Sequence, residues 1–389
     1  MLAKTTDNGN TWSTTFAKDN RQTTPPQGAA QVQLVVDRAQ NRVYVGWQAC
    51  NVPAPGYVPQ FGESGSQRRA EVAVSIDDGA SFSAPVDVEG SPLSTLSLGS
   101  GPSLSLSPDG TLYAFYATSG AGKASPPVYT SQTPGLHVAK STDGGQTFTQ
   151  LGAIGAIPTF FGFPALAAAP YNGGTALVIV YEAIAQGTAG SQSQLRDIYS
   201  INSSDGGQTW SSPTRVTDDD IGTDLGNKFT PGINAAPNGR LDAAWIDFRN
   251  DNGNLLTDTY YASSTDGGTT WSKNVKVSDQ PSNRHYGQFA NYSDVRSNVN
   301  LFSNNYAAYI VWDDSRNASP TADAQDVYFG SVQQAAIPAS TGTTVLYIII
   351  AVAGGLVLAA LVLVILGVVV RSRRTGSGST KPPVGTTAG

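Results

Sequence analysis

Up to about residue 333 the chain is a succession of short apolar runs separated by clusters of Gly, Asn, Asp and Ser, and no long stretch keeps a helical period. Runs at 43–47, 112–116, 176–181, 241–245 and 308–312 each end in Trp or Tyr and read as β-strands. Each has another strand before it, for example 229–236, and a variable loop after it. A third strand follows the loop (71–74, 136–139, 197–201, 259–262), and a short fourth strand follows that (85–88, 275–277). Alternation of apolar and polar residues is weak, which is expected of strands buried on both faces. Four-stranded units therefore occupy about 28–90, 99–155, 160–218 and 228–280. A fifth, 285–333, has three strands, and residues 1–21 carry only a third and a fourth.

The turn between the third and fourth strands is itself repeated. Ser264-Thr-Asp-Gly-Gly-Thr-Thr-Trp271, Ser203-Ser-Asp-Gly-Gly-Gln-Thr-Trp210 and Ser141-Thr-Asp-Gly-Gly-Gln-Thr-Phe148 are near copies, and Ser75-Ile-Asp-Asp-Gly-Ala-Ser-Phe82 and Thr5-Thr-Asp-Asn-Gly-Asn-Thr-Trp12 are looser ones. The central residues Asp7, Asp77, Asp143, Asp205 and Asp266 recur about every 60 to 70 residues, the mark of an array of one supersecondary unit. The carboxylate can accept from backbone N–H groups just ahead of it. The glycine can take a positive φ, the hydroxyls can bond neighbouring backbone, and the aromatic has a large apolar area to bury. Removing such a carboxylate is expected to leave buried turn N–H groups unpaired.

These boxes resemble the Asp box, or BNR repeat, of the sialidase-like β-propellers, over roughly residues 1–333. The resemblance implies an all-β, six-bladed propeller with its first blade incomplete, and a structural role for the boxes on the rim. In that family an N-terminal strand completes the last blade. Here the last blade lacks its outer strand and the first lacks its two inner strands, so the chain is expected to be an N-terminally truncated member.

Residues 345–370 break the pattern with an uncharged apolar run of about 26 residues, roughly 39 Å as a helix and long enough to cross a bilayer. Arg371, Arg373 and Arg374 follow, which places the C-terminus in the cytoplasm and the propeller outside the cell membrane. Residues 334–344 read as a juxtamembrane linker and 371–389 as a disordered basic tail. No apolar signal segment follows Met1, which again points to an incomplete N-terminus.

Charged residues make up only 13% of the chain and the net charge is −6, which argues against a nucleic-acid partner and suits an exported β-protein. Cys50 is the only cysteine, so there is no internal disulfide, and it reads as a small core residue. No cofactor is expected. Asp218, Asp219, Asp220 and Asp224 could supply oxygen ligands to Ca²⁺ but read better as a solvated loop. His137 and His285 do not suggest a zinc site. Asn202 and Asn291 head glycosylation sequons of low specificity.

Two constellations carry chemistry. Trp245-Ile-Asp247-Phe-Arg249 and Trp312-Asp-Asp314-Ser-Arg316 share a Trp-x-Asp-x-Arg pattern, and their recurrence points to an Asp–Arg pair bracing a loop, with ligand binding as the alternative. The second rests on the family resemblance. Sialidases hold a carboxylate with three arginines, attack with a tyrosine activated by a glutamate, and use an aspartate as acid/base. Glu182 and Arg196 match the family's glutamate and second arginine in order and spacing, and Tyr292 lies where its nucleophile would be. The family's Arg-Ile-Pro motif is absent, and Arg284 is a poor candidate for the third arginine. Two functions follow: a surface module that binds a glycan or a surface protein, or a sialidase-type glycoside hydrolase whose N-terminal catalytic residues are not in this chain.

Overall fold

The computed structural model describes residues 2–7, 10–18, 27–51, 68–89, 97–119, 136–151, 154, 160–184, 195–220, 226–251, 253, 255–284, 286, 299–319 and 325–334. Among them the regular structure is all β, and every strand pairing is antiparallel. No helix among the described residues is long and apolar enough to cross a membrane; residues 345–370 lie outside them.

The chain opens with a hairpin of β1 (Leu2–Lys4) and β2 (Ser13–Thr15). Five meandering sheets follow. Sheet 1 contains β3 (Gln27–Asp37), β4 (Arg42–Asn51), β5 (Arg68–Ser75) and β6 (Val86–Asp87). Sheet 2 contains β7 (Ser97–Leu106), β8 (Leu112–Ser119), β9 (Leu136–Ser141) and β10 (Thr149–Gln150). Sheet 3 contains β11 (Phe160–Tyr171), β12 (Gly174–Ile184), β13 (Arg196–Ser203) and β14 (Thr214–Arg215). Sheet 4 contains β15 (Lys228–Ala235), β16 (Leu241–Asp247), β17 (Leu256–Ser264) and β18 (Val275–Lys276), and β19 (Ser282–Asn283) adds to one end of β17. Sheet 5 has three strands, β20 (Val299–Ser303), β21 (Ala307–Asp314) and β22 (Asp326–Gln333).

Each sheet packs on the next through both faces of its inner strands, which accounts for the weak alternation in the sequence. Along β12, Leu177, Ile179 and Tyr181 join Tyr113, Phe115 and Val138 of sheet 2, while Val178 and Val180 join Ile233, Leu241 and Ala243 of sheet 4. Along β16, Ala244 and Ile246 turn the other way and bury Val299, Ile310 and Trp312 of sheet 5. The first strands also bond to each other across the seams: Leu166 N donates to Ser103 Oγ at 3.1 Å, and Ser303 N to Asn234 Oδ1 at 3.0 Å. Gly232 sits at such a crossing, where a Cβ would come within 2.7 Å of Leu301 and 2.9 Å of the Val299 carbonyl.

The repeated turns share one geometry. In the turn after β17, Asp266 Oδ1 accepts from Ser264 Oγ at 2.8 Å and Thr270 N at 2.9 Å, and Oδ2 accepts from Thr270 Oγ1 at 2.6 Å. Asp7, Asp77, Asp143 and Asp205 repeat these contacts. The division of labour differs from the expectation. The N–H groups held by the carboxylate are exposed, whereas the buried N–H, that of Gly268, bonds to Ser264 Oγ at 3.0 Å. Gly268 has a φ of +86°, and a Cβ there would press on Val178 at 2.9 Å, so the turn needs glycine for conformation and for close approach. The aromatic wedges against the preceding sheet, with Trp271 Nε1 donating to Ser200 Oγ at 2.9 Å.

The buried hydroxyl is therefore expected to matter more than the conspicuous carboxylate. Ser264→Ala strands a buried N–H and should cost about 1–3 kcal/mol, whereas water can replace the contacts of Asp266, so Asp266→Ala should cost about 0.5–1.5 kcal/mol. Urea denaturation of both variants checks the order, and a larger loss for Asp266→Ala would refute it.

Candidate functional site

The third strands run from one end of the array to the box turns at the other. From Arg196, which opens β13, to Ser203 is seven steps of about 3.3 Å, so a site at the level of Arg196 lies about 23 Å along the strand from the box that follows it.

At that end β12 and β13 pair Glu182 with Ile198 and Ile184 with Arg196, which puts Glu182 and Arg196 on the same face of sheet 3. Arg196 Nη1 lies 3.5 Å from the buried Glu182 Oε2, and the backbone N–H of Arg196 donates to Asn227 Oδ1 at 2.9 Å. The guanidinium sits over the ring of Phe229, 5.0 Å from its centroid, at the start of sheet 4. Phe229 meets Phe248 edge to face at 5.7 Å, and Arg284 lies over Phe248 at 5.4 Å. Arg284 is placed by β19: its N–H donates to the Leu255 carbonyl at 3.1 Å, and Ser315 bonds back to both Ser282 and Asn283. Two arginines thus flank a pair of aromatic rings, with a buried carboxylate under one of them. Both rings are buried and hold the guanidiniums in place, and a guanidinium fork suits a ligand with a carboxylate or an array of hydroxyls.

Beneath this row lies a network of paired charges. Buried Asp247 Oδ2 accepts from Trp245 Nε1 at 2.8 Å and from Arg249 Nε at 2.9 Å, with Arg249 Nη2 2.8 Å away as its ion-pair partner, while Oδ1 accepts from the Arg249 backbone N at 2.8 Å. Arg249 also reaches Asp218 at 3.0 Å and lies over the Tyr260 ring at 4.1 Å. Lys228 Nζ, nearly inaccessible, pairs with Asp219, and Arg215 pairs with Asp197 and Asp219. Burial opposes the charge on Arg249, but Asp247 and Asp219 more than offset it and push its pKa up. Sheet 5 repeats the device: Trp312 Nε1 donates to Asp314 Oδ2 at 3.0 Å, Arg316 pairs with Asp314 at 2.7 Å and with Asp279, and its guanidinium covers Tyr328 at 4.1 Å.

The structure thus brings Glu182 and Arg196 together, and it joins Asp247 to Arg249 and Asp314 to Arg316 within their own loops. Tyr292, Asp224, His285, Asn291 and the side chain of Cys50 lie outside the described residues. Asp218 and Asp219 face Arg249, Arg215 and Lys228 rather than an open cation site, and no cluster of metal-ligating side chains occurs among the described residues. Asn202 Nδ2 donates to the Gly268 carbonyl at 3.3 Å.

Sequence reasoning did not find Phe229 or Phe248 and set Arg284 aside. One signal for Phe248 was available: the two Trp-x-Asp-x-Arg copies carry Phe248 and Ser315 at the same place, so that position is not needed for the brace itself. Arg284 carried no local signal, because a sheet addition 25 residues from its partner strand fixes it.

No protein-family model and no curated protein matches the sequence. Solved structures do match in fold. The chain superposes on the Hadza microbial sialidase Hz136 with a TM-score of 0.51 at 17% identity, covering 85% of this chain and 58% of that one. It superposes on a mutant Trypanosoma rangeli sialidase displaying trans-sialidase activity with a TM-score of 0.50 at 14% identity, covering 85% of this chain and 48% of that one. The chain spans about half the length of these sialidases. Its fold is sialidase-like.

Proposed function

We propose that this protein is a membrane-anchored, six-bladed β-propeller that displays a glycan-binding face outside the cell. Five sheets packed in series, preceded by a hairpin with its own box, support the six-bladed reading. The apolar run at 345–370 with the arginines behind it supports the anchor and its orientation. The observation that carries the binding reading is the row Glu182–Arg196–Phe229–Phe248–Arg284 at the second-to-third-strand end. Glycans bearing a carboxylate fit it best, through a charge-assisted bond to Arg196 or Arg284, while the buried Phe229 and Phe248 rings position the two guanidiniums and do not touch the sugar.

Full-length protein in detergent, presented to sialylated glycans and their desialylated forms, tests this. Binding should require the acidic sugar and fall at least tenfold in Arg196→Ala, as expected for one lost charge-assisted hydrogen bond. Equal binding of both glycan sets, or an unchanged affinity in the variant, would rule the reading out. The anchor has its own test: a chain ending at Ile337 should be released into the medium by cells that retain the full-length protein in their membranes.

A second reading, a sialidase-type hydrolase, is favoured by one feature, the pairing of Glu182 with Arg196 at 3.5 Å ahead of Tyr292 in the sequence. In that reading Tyr292 is the nucleophile, Glu182 its base and Arg196 a carboxylate clamp. The chain as it stands lacks the Arg-Ile-Pro arginine, so it should not turn over a fluorogenic sialoside. Hydrolysis above that of Tyr292→Phe would establish the enzyme instead.

A further inference from the structure

Residues 226–230, which lead into sheet 4, concentrate several local costs. A Cβ on Gly226 would come within 2.4 Å of the Phe248 carbonyl carbon and 2.5 Å of Arg249 N, so only glycine lets these two backbones meet. Lys228 keeps a buried ammonium, paired with Asp219. Thr230 is β-branched and has a φ of +48°, and its buried hydroxyl has no hydrogen-bond partner among the described residues. The strand takes an extra residue here: Phe229 pairs with Ile246 and Gly232 with Ala244, so Thr230 and Pro231 both stand opposite Trp245. Register breaks also interrupt β3, β7 and β11. Among the described residues, however, Thr230 is the only one inside a strand with a positive φ; Asn41, Asp78 and Asn172 lie in turns, as do the glycines. Strain of this kind persists where the surrounding structure holds it, and it collects at functional sites.

Asn227 is where three elements of the ligand row meet. Its Oδ1 accepts from Arg196 N, at the start of β13, at 2.9 Å. Its carbonyl accepts from Phe248 N, just past β16, at 3.0 Å. Two residues on, the Phe229 ring lies 5.0 Å beneath the Arg196 guanidinium and meets Phe248 edge to face. One residue therefore ties the backbone of Arg196 to the segment that carries its ring. Its neighbours hold it in turn: Gly226 is pressed on the Phe248–Arg249 peptide, and Lys228 Nζ donates to the Gly226 carbonyl at 2.9 Å. An asparagine suits the task, because its side-chain oxygen accepts the bond without placing a negative charge beside an arginine that is to meet an anion.

We propose that Asn227 is the positioning residue of this row: its side chain fixes the backbone of Arg196, so that the guanidinium stays over Phe229 and beside Glu182 in the arrangement that receives a carboxylate. Asn227 acts through Arg196 and not on the ligand. The close approach at Gly226 and the strained bulge at Thr230 fix Asn227 from either side. This role rests on the glycan-binding reading above, whereas the contact itself does not, and the two are tested separately.

Hydrogen exchange of the full-length protein in detergent tests the contact without any glycan. Asn227→Ala should speed exchange at the Arg196 amide about tenfold, as expected for one lost hydrogen bond, and leave the Tyr199 and Ile201 amides alone. Asn227→Asp, which keeps the acceptor, should restore wild-type exchange. Affinity for a sialylated glycan tests the role. Asn227→Ala should weaken binding about tenfold, and in an Arg196→Ala background it should weaken it no further, because a residue that acts through Arg196 then has nothing to position. Loss of stability alone would not produce that dependence on Arg196. Unchanged exchange at Arg196, unchanged affinity in Asn227→Ala, or an equal loss of affinity with and without Arg196 overturns the proposal. A wild-type protein that binds no sialylated glycan removes the binding reading instead, and the exchange result still decides whether Asn227 fixes Arg196.

Discussion

Asp247→Ala should be among the most destabilising single substitutions in this chain, at about 3–5 kcal/mol, the usual cost of removing one partner from a buried ion pair. The side chain of Asp247 is inaccessible and takes hydrogen bonds from the Trp245 indole and from both the backbone and the guanidinium of Arg249. Without it, a buried indole N–H loses its acceptor, and the Arg249 and Lys228 charges lose the carboxylate that holds them charged. Asp314→Ala in the matching brace should cost less, because no buried lysine depends on Asp314 and Arg316 keeps the exposed Asp279. Equilibrium unfolding in guanidinium chloride measures both. A loss below about 1 kcal/mol for Asp247→Ala would mean that the network is dispensable and that the pair is free to serve a ligand.

That brace shows what could be read from one sequence and what could not. The Asp–Arg pairs were legible because the Trp-x-Asp-x-Arg spacing puts both partners on one loop, and Glu182 and Arg196 were legible only through the order and spacing they share with the sialidases; the structure adds that they close the hairpin of β12 and β13. Contacts made between sheets left no trace in local pattern. Asp218 and Asp219 looked like a solvated acidic loop, yet their partners are Lys228, 9 residues from Asp219, and Arg249, 31 residues from Asp218. Phe229 and Phe248 meet only because β15 and β16 start and end together. The box motif was legible as a turn, but its energetics were not: the carboxylate draws the eye, and the hydroxyl holds the buried N–H. Glu89 drew no attention at all, since nothing in its neighbours by sequence indicates that it is buried.

Glu89 should make the protein more stable in mild acid than at neutral pH. It follows β6 at the seam of sheets 1 and 2, is nearly inaccessible, and accepts one hydrogen bond, from Ala70 N at 3.1 Å. Burial pushes its pKa from the ordinary 4.5 to about 7; the Ala70 N–H and Arg69 pull down and Asp87 pushes up, and none of them reverses the effect. A carboxyl that holds its proton more tightly when folded stabilises the fold fully below about pH 4.5, loses that contribution as the pH rises towards 7, and gives none above. The gap corresponds to roughly 2–3 kcal/mol, allowing for partial solvent access. The box carboxylates act in the opposite sense but outside this window: hydroxyl and backbone donors hold Asp7 and Asp77 down at about 2, so their contribution is lost only in stronger acid. His137, pushed down by burial, is present in wild type and variant alike and cancels in the comparison. Glu89→Gln keeps an acceptor for Ala70 and removes the titration, so it should match wild type at pH 4.5 and exceed it by roughly 2–3 kcal/mol at pH 8. Urea unfolding at the two pH values reads the difference directly, and a variant with the same stability offset at both would show that folding does not raise the pKa of Glu89.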